Sequence, residues 1–165
     1  SVSAFLLNRS SDLAIINFVA NPLVNTHLQG RADTYPKRRG VTRVKELLSE
    51  GVNVSFGHDD ICDPWYPMGN GNLRDVVFMG LHVCQMMGYQ DIMDSCRFIT
   101  TNAARTLHVL DRYGIEPGKP GSFIVLDAKN YYEALNFNSP VLLSFKNGNC
   151  IRKLNSSECN IVSDR

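Results

Sequence analysis

The fold turns on Gly51-Val-Asn-Val-Ser-Phe-Gly-His58-Asp59-Asp60. Val52, Val54 and Phe56 alternate with polar residues, the period-two pattern of a strand. The run passes without interruption into one histidine and two carboxylates. Ionisable residues at the C-terminal end of a parallel strand are where α/β barrels keep their chemistry. What lies upstream decides whether this strand is parallel.

Just before it, Thr42 stands at an N-cap position, Val44, Leu47 and Leu48 recur at helical spacing, and Gly51 closes the segment. A polar loop over residues 25–40 precedes that helix. Before the loop, residues 13–24 are apolar at nearly every position until Asn21-Pro22 stops them, which suits a strand covered on both faces. Strand, loop, helix and strand within about 45 residues is the spacing of a βαβ unit, with a right-handed crossover expected.

Downstream, Leu73, Val76, Val77, Gly80, Leu81, Cys84 and Met87 trace one face of a helix that Gly88 ends. A shorter helix is expected over residues 92–98, and another from 103 to 109 with Thr101-Asn102 as its cap. From Gly114 the pattern changes. Residues 117–121 form a Pro/Gly turn cluster, residues 123–126 a strand, and residues 141–146 and 149–154 two strands joined by Asn147-Gly148, a type I′ hairpin signal. The expected organisation is a barrel-like α/β part over residues 1–114, a small β segment over 115–155, and a polar tail over 156–165.

Composition narrows the function classes. Of 165 residues, 44% are apolar and 20% charged, as in an ordinary globular chain. With 17 Lys and Arg against 16 Asp and Glu, there is no electrostatic case for nucleic acid or an anionic membrane, and a small or neutral partner is expected. No apolar run approaches the ~18 residues of a membrane span, and residues 1–8 lack the basic leader of a signal peptide. Five cysteines without a C-x-x-C spacing make neither a zinc knuckle nor a disulfide framework, so a reducing cytoplasm is expected.

Chemistry is concentrated in Phe56-Gly-His58-Asp59-Asp60-Ile-Cys-Asp-Pro-Trp65-Tyr-Pro67. In a hydrolytic metal site, one oxygen of a strand-end carboxylate binds the divalent ion and the other takes a proton from the attacking water. Asp59 stands in position for that task. Asp60, facing a neighbouring direction, could hydrogen-bond a polar substrate, and Trp65 could offer a flat wall to an aromatic ring. Each has a plainer alternative: acidic pairs after strands also cap helices or face solvent, and a tryptophan between prolines also packs under a loop. His58 reads as ligand, proton carrier or structural residue, His82 and His108 as structural, and His27 is open. Lys37-Arg38-Arg39 reads as a solvated loop face.

Beyond spacing, residues 17–40, 56–67, 79–89, 101–107 and 113–118 closely resemble bacterial-type cytosine deaminases of the amidohydrolase superfamily. The Gly57-His-Asp-Asp60 and Asp63-Pro-Trp-Tyr-Pro67 strings are the most specific. The resemblance implies the C-terminal part of a distorted TIM (β/α)8 barrel, its last strands and helices, followed by a piece of a small β-sandwich. It implies hydrolytic deamination of cytosine to uracil and ammonia, a place in pyrimidine salvage, and iron or zinc as cofactor. Asp59 would be the metal ligand that acts on the hydrolytic water, Asp60 would lie beside the pyrimidine, and Trp65 would line its pocket. A homo-oligomer is implied for the intact enzyme. The family's His-x-His pair and His-x-x-Glu are absent from these 165 residues. Three expectations therefore stand together: part of a deaminase, part of an amidohydrolase with another cyclic amide or amine substrate, or a non-catalytic module without its own metal.

Overall fold

A computed structural model of the chain describes residues 16–154. The chain divides into two compact units, Ser1–Leu110 and Asp111–Arg165.

In the first unit, β1 (Asn17–Ala20) and β2 (Asn53–Phe56) pair in parallel, from Asn17 opposite Asn53 to Ala20 opposite Phe56. Helices α1 (Pro22–Leu28) and α2 (Val44–Ser49) fill the crossover between them. The βαβ reading holds. Its first strand is shorter than the apolar run suggested, because the chain turns helical at Pro22. Proline lacks an N–H and has φ preset near the helical value, which suits a first helical turn. Residues expected to open a loop at Asn25 thus continue a helix to Leu28. Residues 13–15 of that run lie outside the described residues.

Val54, Ser55 and Phe56 are all buried, so β2 is covered on both faces. Phe56 stacks on Phe98, ring centroids 4.5 Å apart, and Phe98 itself is 1% exposed. Helix α3 (Leu73–Val83) crosses closely at Gly80, where a Cβ would stand 2.4 Å from Phe56 Cε2. The Asn72 side chain caps α3 by accepting from Arg74 N. The helix stops at Val83 rather than near Gly88. There Gln85 takes φ +54°, and the Gln85 and Met86 amides close back on His82 and Leu81 carbonyls. That double closure is a Schellman ending, here made without glycine.

Helix α4 (Tyr89–Asp94) and a 3-10 turn (Ser95–Ile99) lead into α5 (Thr101–Thr106). Asn102 does not cap α5, as its sequence position suggested. It is 8% exposed, and its Nδ2 donates to the Val54 carbonyl of β2 at 2.8 Å. Asn53 Nδ2 in turn lies 2.7 Å from Asn17 Oδ1, 3.1 Å from the Asn102 carbonyl and 3.1 Å from Thr106 Oγ1. Ser55 Oγ reaches Thr106 Oγ1 at 3.1 Å. Buried amides and hydroxyls must find partners, and here they find them between strand and helix.

The second unit holds an antiparallel sheet of β3 (Phe123–Leu126), β4 (Val141–Lys146) and β5 (Asn149–Lys153), in that order. Asn147 and Gly148 both have positive φ, +51° and +79°, as a type I′ turn requires. Phe123 and Phe145 face one another across strands and stack at 4.7 Å. Helix α6 (Tyr131–Asn136), which sequence reading passed over, joins β3 to β4. Its signal is Asn130 with Glu133: Asn130 Oδ1 accepts from Glu133 N, and Glu133 Oε2 accepts from Lys129 N. The described residues of this unit contain a single sheet. No helix among the described residues is long and apolar enough to cross a membrane.

Two substitutions test the core. Asn102→Ala, which takes a side-chain donor away from the buried Val54 carbonyl of β2, is expected to cost about 1–3 kcal/mol in urea unfolding followed by circular dichroism. Gly80→Val should cost about as much by forcing α3 off Phe56. Asn102→Ala protein that unfolds at the parent midpoint would show that the Asn102–Val54 bond carries no stability.

Candidate functional site

Both parallel strands deliver polar residues at the same end. The ladder extends one step beyond β2, with Gly57 N donating to Ala20 O at 2.9 Å. Asn21 therefore leaves β1 beside the point where Gly57-His58-Asp59 leaves β2. Gly57 leaves room for this approach, since a Cβ there would lie 2.7 Å from Asn21 Oδ1 and 3.0 Å from Val19 Cγ1.

Asp59 takes φ +65°, a left-handed conformation that costs most side chains energy but that Asp tolerates better than bulky ones. Its carboxylate is exposed, and Oδ2 accepts a hydrogen bond from Asn21 Nδ2 at 3.2 Å. It caps no helix. Among the described residues, Oδ1 has no partner.

His58 points the other way. It is 6% exposed, with Nδ1 2.9 Å from the Asp60 carbonyl, an acceptor that fixes Nδ1 as the protonated nitrogen. Its Nε2 is buried without a hydrogen-bond partner. The ring lies so close to Gly69 that a Cβ there would stand 2.4 Å from Cε1, and it meets the Tyr66 ring edge-on at 6.1 Å. His58 is a wedge beneath the loop that follows.

That loop, residues 61–72, is organised by Asp63. Its Oδ1 accepts from Trp65 N at 2.9 Å and Tyr66 N at 2.7 Å, while Asp63 N donates to Tyr66 O. Cys62 N donates to Met68 O, and Cys62 Sγ to Gly69 O. Trp65 is carried on this turn with 60% of its surface exposed, so it is not packed into the core. Tyr66 lies instead between two imidazoles, with the exposed His27 ring 5.8 Å away on its other contact.

Asp60 is half-buried. Desolvation first, then the charges of Asp63 and Asp59, and then a hydrogen bond with Asp63, hold its carboxyl above the usual carboxylate range. Asp59 and Asp60 therefore differ in kind: one is open to solvent and tied to an amide, the other crowded by acids.

The remaining candidates lie elsewhere. His82 Nδ1 bonds the Phe78 carbonyl one turn back, and His108 occupies the positive-φ position that ends α5. Arg38 forks onto Asp33 with nitrogen–oxygen distances of 2.8 and 2.9 Å, which lowers the Asp33 pKa. Lys37 and Arg39 bond loop carbonyls. Asn21 and Asp63 are not legible as site residues in the sequence: the first reads there as a strand stop, and the second as one more acid in the run.

Among the described residues, no three His, Cys, Asp or Glu side chains gather as a metal centre requires. A catalytic zinc site takes three protein ligands as a rule. Asp59 offers one carboxylate. The described residues do not make a metal centre by themselves.

A model of the amidohydrolase family matches residues 8–152. The chain belongs to that family. Among solved structures, the 5-methylcytosine deaminase of Klebsiella pneumoniae liganded with phosphonocytosine matches with a TM-score of 0.81 and 48% identity, over 85% of this chain and 34% of that one. The N-isopropylammelide isopropyl amidohydrolase of Pseudomonas sp. (strain ADP) is 31% identical over 110 residues, 67% of this chain and 27% of the relative. An adenosine deaminase from Xanthomonas campestris with bound zinc shares the fold, at TM-score 0.66 and 16% identity, over 92% of this chain and 38% of that one. The amidohydrolase chain thus spans between about a quarter and two fifths of the length of these proteins, and its likeness to a cytosine-type deaminase agrees with the sequence reading.

Trp65 is the one tryptophan, so its fluorescence reports on this loop alone. Asp63→Ala is expected to free the turn, lower the Trp65 anisotropy and raise its quenching by acrylamide. Unchanged anisotropy and quenching would show that Asp63 does not hold the loop.

Proposed function

We propose that this chain supplies the C-terminal part of the active site of a metal-dependent hydrolytic deaminase acting on cytosine or a similar amino-substituted heterocycle. One observation carries the reading: an exposed carboxylate, Asp59, held at the C-terminal end of a parallel strand with one oxygen uncommitted. Family membership and the 48% identity to a 5-methylcytosine deaminase support it.

The reaction joins water to the ring carbon that bears the exocyclic amine and expels ammonia, leaving a carbonyl. Water is a poor nucleophile until a base takes its proton. Asp59 is our candidate for that base, because a carboxylate oxygen free of other partners can receive the proton as the oxygen–carbon bond forms. Asp60, crowded and with a raised pKa, is our candidate for the group that hydrogen-bonds the polar edge of the ring. Trp65 would provide the flat apolar wall.

Iron or zinc is the cofactor we propose for the intact enzyme. Asp59 would be the one ligand to it from the described residues, and the isolated chain is proposed to be inactive. The free thiols Cys62, Cys84, Cys96 and Cys150 support a cytoplasmic site for the enzyme. A homo-oligomer is proposed from the resemblance alone. The match to an amidohydrolase of a different heterocycle keeps one second reading open, in which Asp59 keeps its role and Asp60 and Trp65 read another ring.

A segment swap tests these together. Residues 16–154 replace the matching stretch of the Klebsiella pneumoniae 5-methylcytosine deaminase, and ammonia release is followed over a panel of cytosine, 5-methylcytosine and triazine amines. Cytosine turnover that Asp59→Ala lowers by about 10²–10⁴-fold is the expected result. Trp65→Ala should raise KM more than it lowers kcat. Full activity in the Asp59→Ala swap rules the assignment out, and preference for a triazine favours the second reading.

A further inference from the structure

We infer that Asn21 is a positioning residue for Asp59, fixing one carboxylate oxygen so that the other faces the reacting water. The inference rests on the deaminase reading above and adds to it a residue just beyond the end of a different strand.

Asn21 stands at the N-cap of α1, with Pro22 as the first helical residue. An asparagine there ordinarily turns its side-chain oxygen onto an N–H of the first turn, which strengthens the helix. Asn21 makes no such bond. Its amide reaches instead across the strand ends to Asp59 Oδ2, 38 residues further along the chain. The direction of the amide follows from charge: with Oδ1 facing a carboxylate, two acceptors would meet, so Nδ2 must be the contacting atom. The space it crosses is kept open by Gly57, where any Cβ would strike Asn21 Oδ1.

At the other end of the bond, Asp59 is held by its backbone as well, at φ +65°. Backbone strain of this kind persists where surroundings over-determine the conformation. An exposed aspartate without a tether would divide its time among rotamers. The amide selects one of them, and being uncharged it does so without pairing the carboxylate in a salt bridge. Small displacements of a reacting group carry large losses of rate, so a tether of this kind acts on turnover and little on binding.

The test uses the active segment swap. Asn21→Ser keeps a good N-cap residue, so α1 retains its start, but serine is too short to reach Asp59. We expect kcat to fall by about 10- to 100-fold with KM for cytosine within about twofold and the melting temperature unchanged. In an Asp59→Glu background, whose longer side chain no longer meets Asn21, the same substitution should cost less than about twofold. Crystal structures give a readout apart from activity: one Asp59 rotamer touching Asn21 Nδ2 in the parent swap, and several in Asn21→Ser. Unchanged kcat in Asn21→Ser, an equal loss in the Asp59→Glu background, or a single unmoved Asp59 rotamer overturns the inference while leaving the function intact. A folded swap that releases no ammonia from any heterocycle overturns the function itself and the catalytic meaning of the tether with it.

Discussion

One set of hydrogen bonds, buried at Asn102 and part-buried at Asn53, ties the two strands of the first unit to a helix. Asn102 on α5 binds the Val54 carbonyl, and Asn53 binds Asn17, the Asn102 carbonyl and Thr106. These side chains connect β1, β2 and α5 at the start of the strands. A parallel pair can slip by two residues and keep its apolar pattern, since side chains alternate with a period of two. The Asn17–Asn53 amide pair opposes that freedom, because a slipped register would leave part-buried amides without these partners. With the register set at one end, the other end is set too. Asn21 and Asp59 meet four residues beyond Asn17 and six beyond Asn53.

The two strands are not covered alike. β2 is buried on both faces, but Val19 in the middle of β1 is 50% exposed. An apolar side chain in that condition on a parallel strand is at odds with how parallel sheets occur, with both faces covered. The chain spans 34% of the matched 5-methylcytosine deaminase. At the end of these strands the Asp59 carboxylate is tethered to Asn21, and among the described residues no group of three His, Cys, Asp or Glu stands where it could hold a metal ion.

Where the sequence was legible, one dominant local term was at work. Alternation in Val52, Val54 and Phe56 marks β2, and the Asn147-Gly148 pair, needing two positive φ values, marks the hairpin between β4 and β5. Legibility failed where a tertiary contact overrode a local preference. Asn21 and Asn102 are both good cap residues by type, and neither caps its helix: one amide is drawn to Asp59, the other to a strand carbonyl. Gln85 ends α3 three residues before the glycine that spacing would choose, because Cys84 to Met86 are held by the Schellman closure. Of the candidate site, His58-Asp59-Asp60 could be picked out as a string, but not which way each side chain turns. Burial of His58, exposure of Asp59 and crowding of Asp60 are properties of the fold around them.

Those three orientations separate roles that the sequence presents as one acidic run. A residue that must exchange protons with water needs an oxygen open to it, and Asp59 has one. Asp60 is half-buried, and its pKa is raised by burial and then by Asp63 and Asp59, so its surroundings differ from those of the exposed Asp59. His58 is spent on packing against Gly69 and on the Asp60 carbonyl, so it fixes the angle at which the chain leaves β2. The backbone then takes its left-handed turn at Asp59, and the carboxylate lies within reach of Asn21. Three adjacent positions in one short string thus stand in three different surroundings: His58 buried, Asp59 exposed and Asp60 between the two.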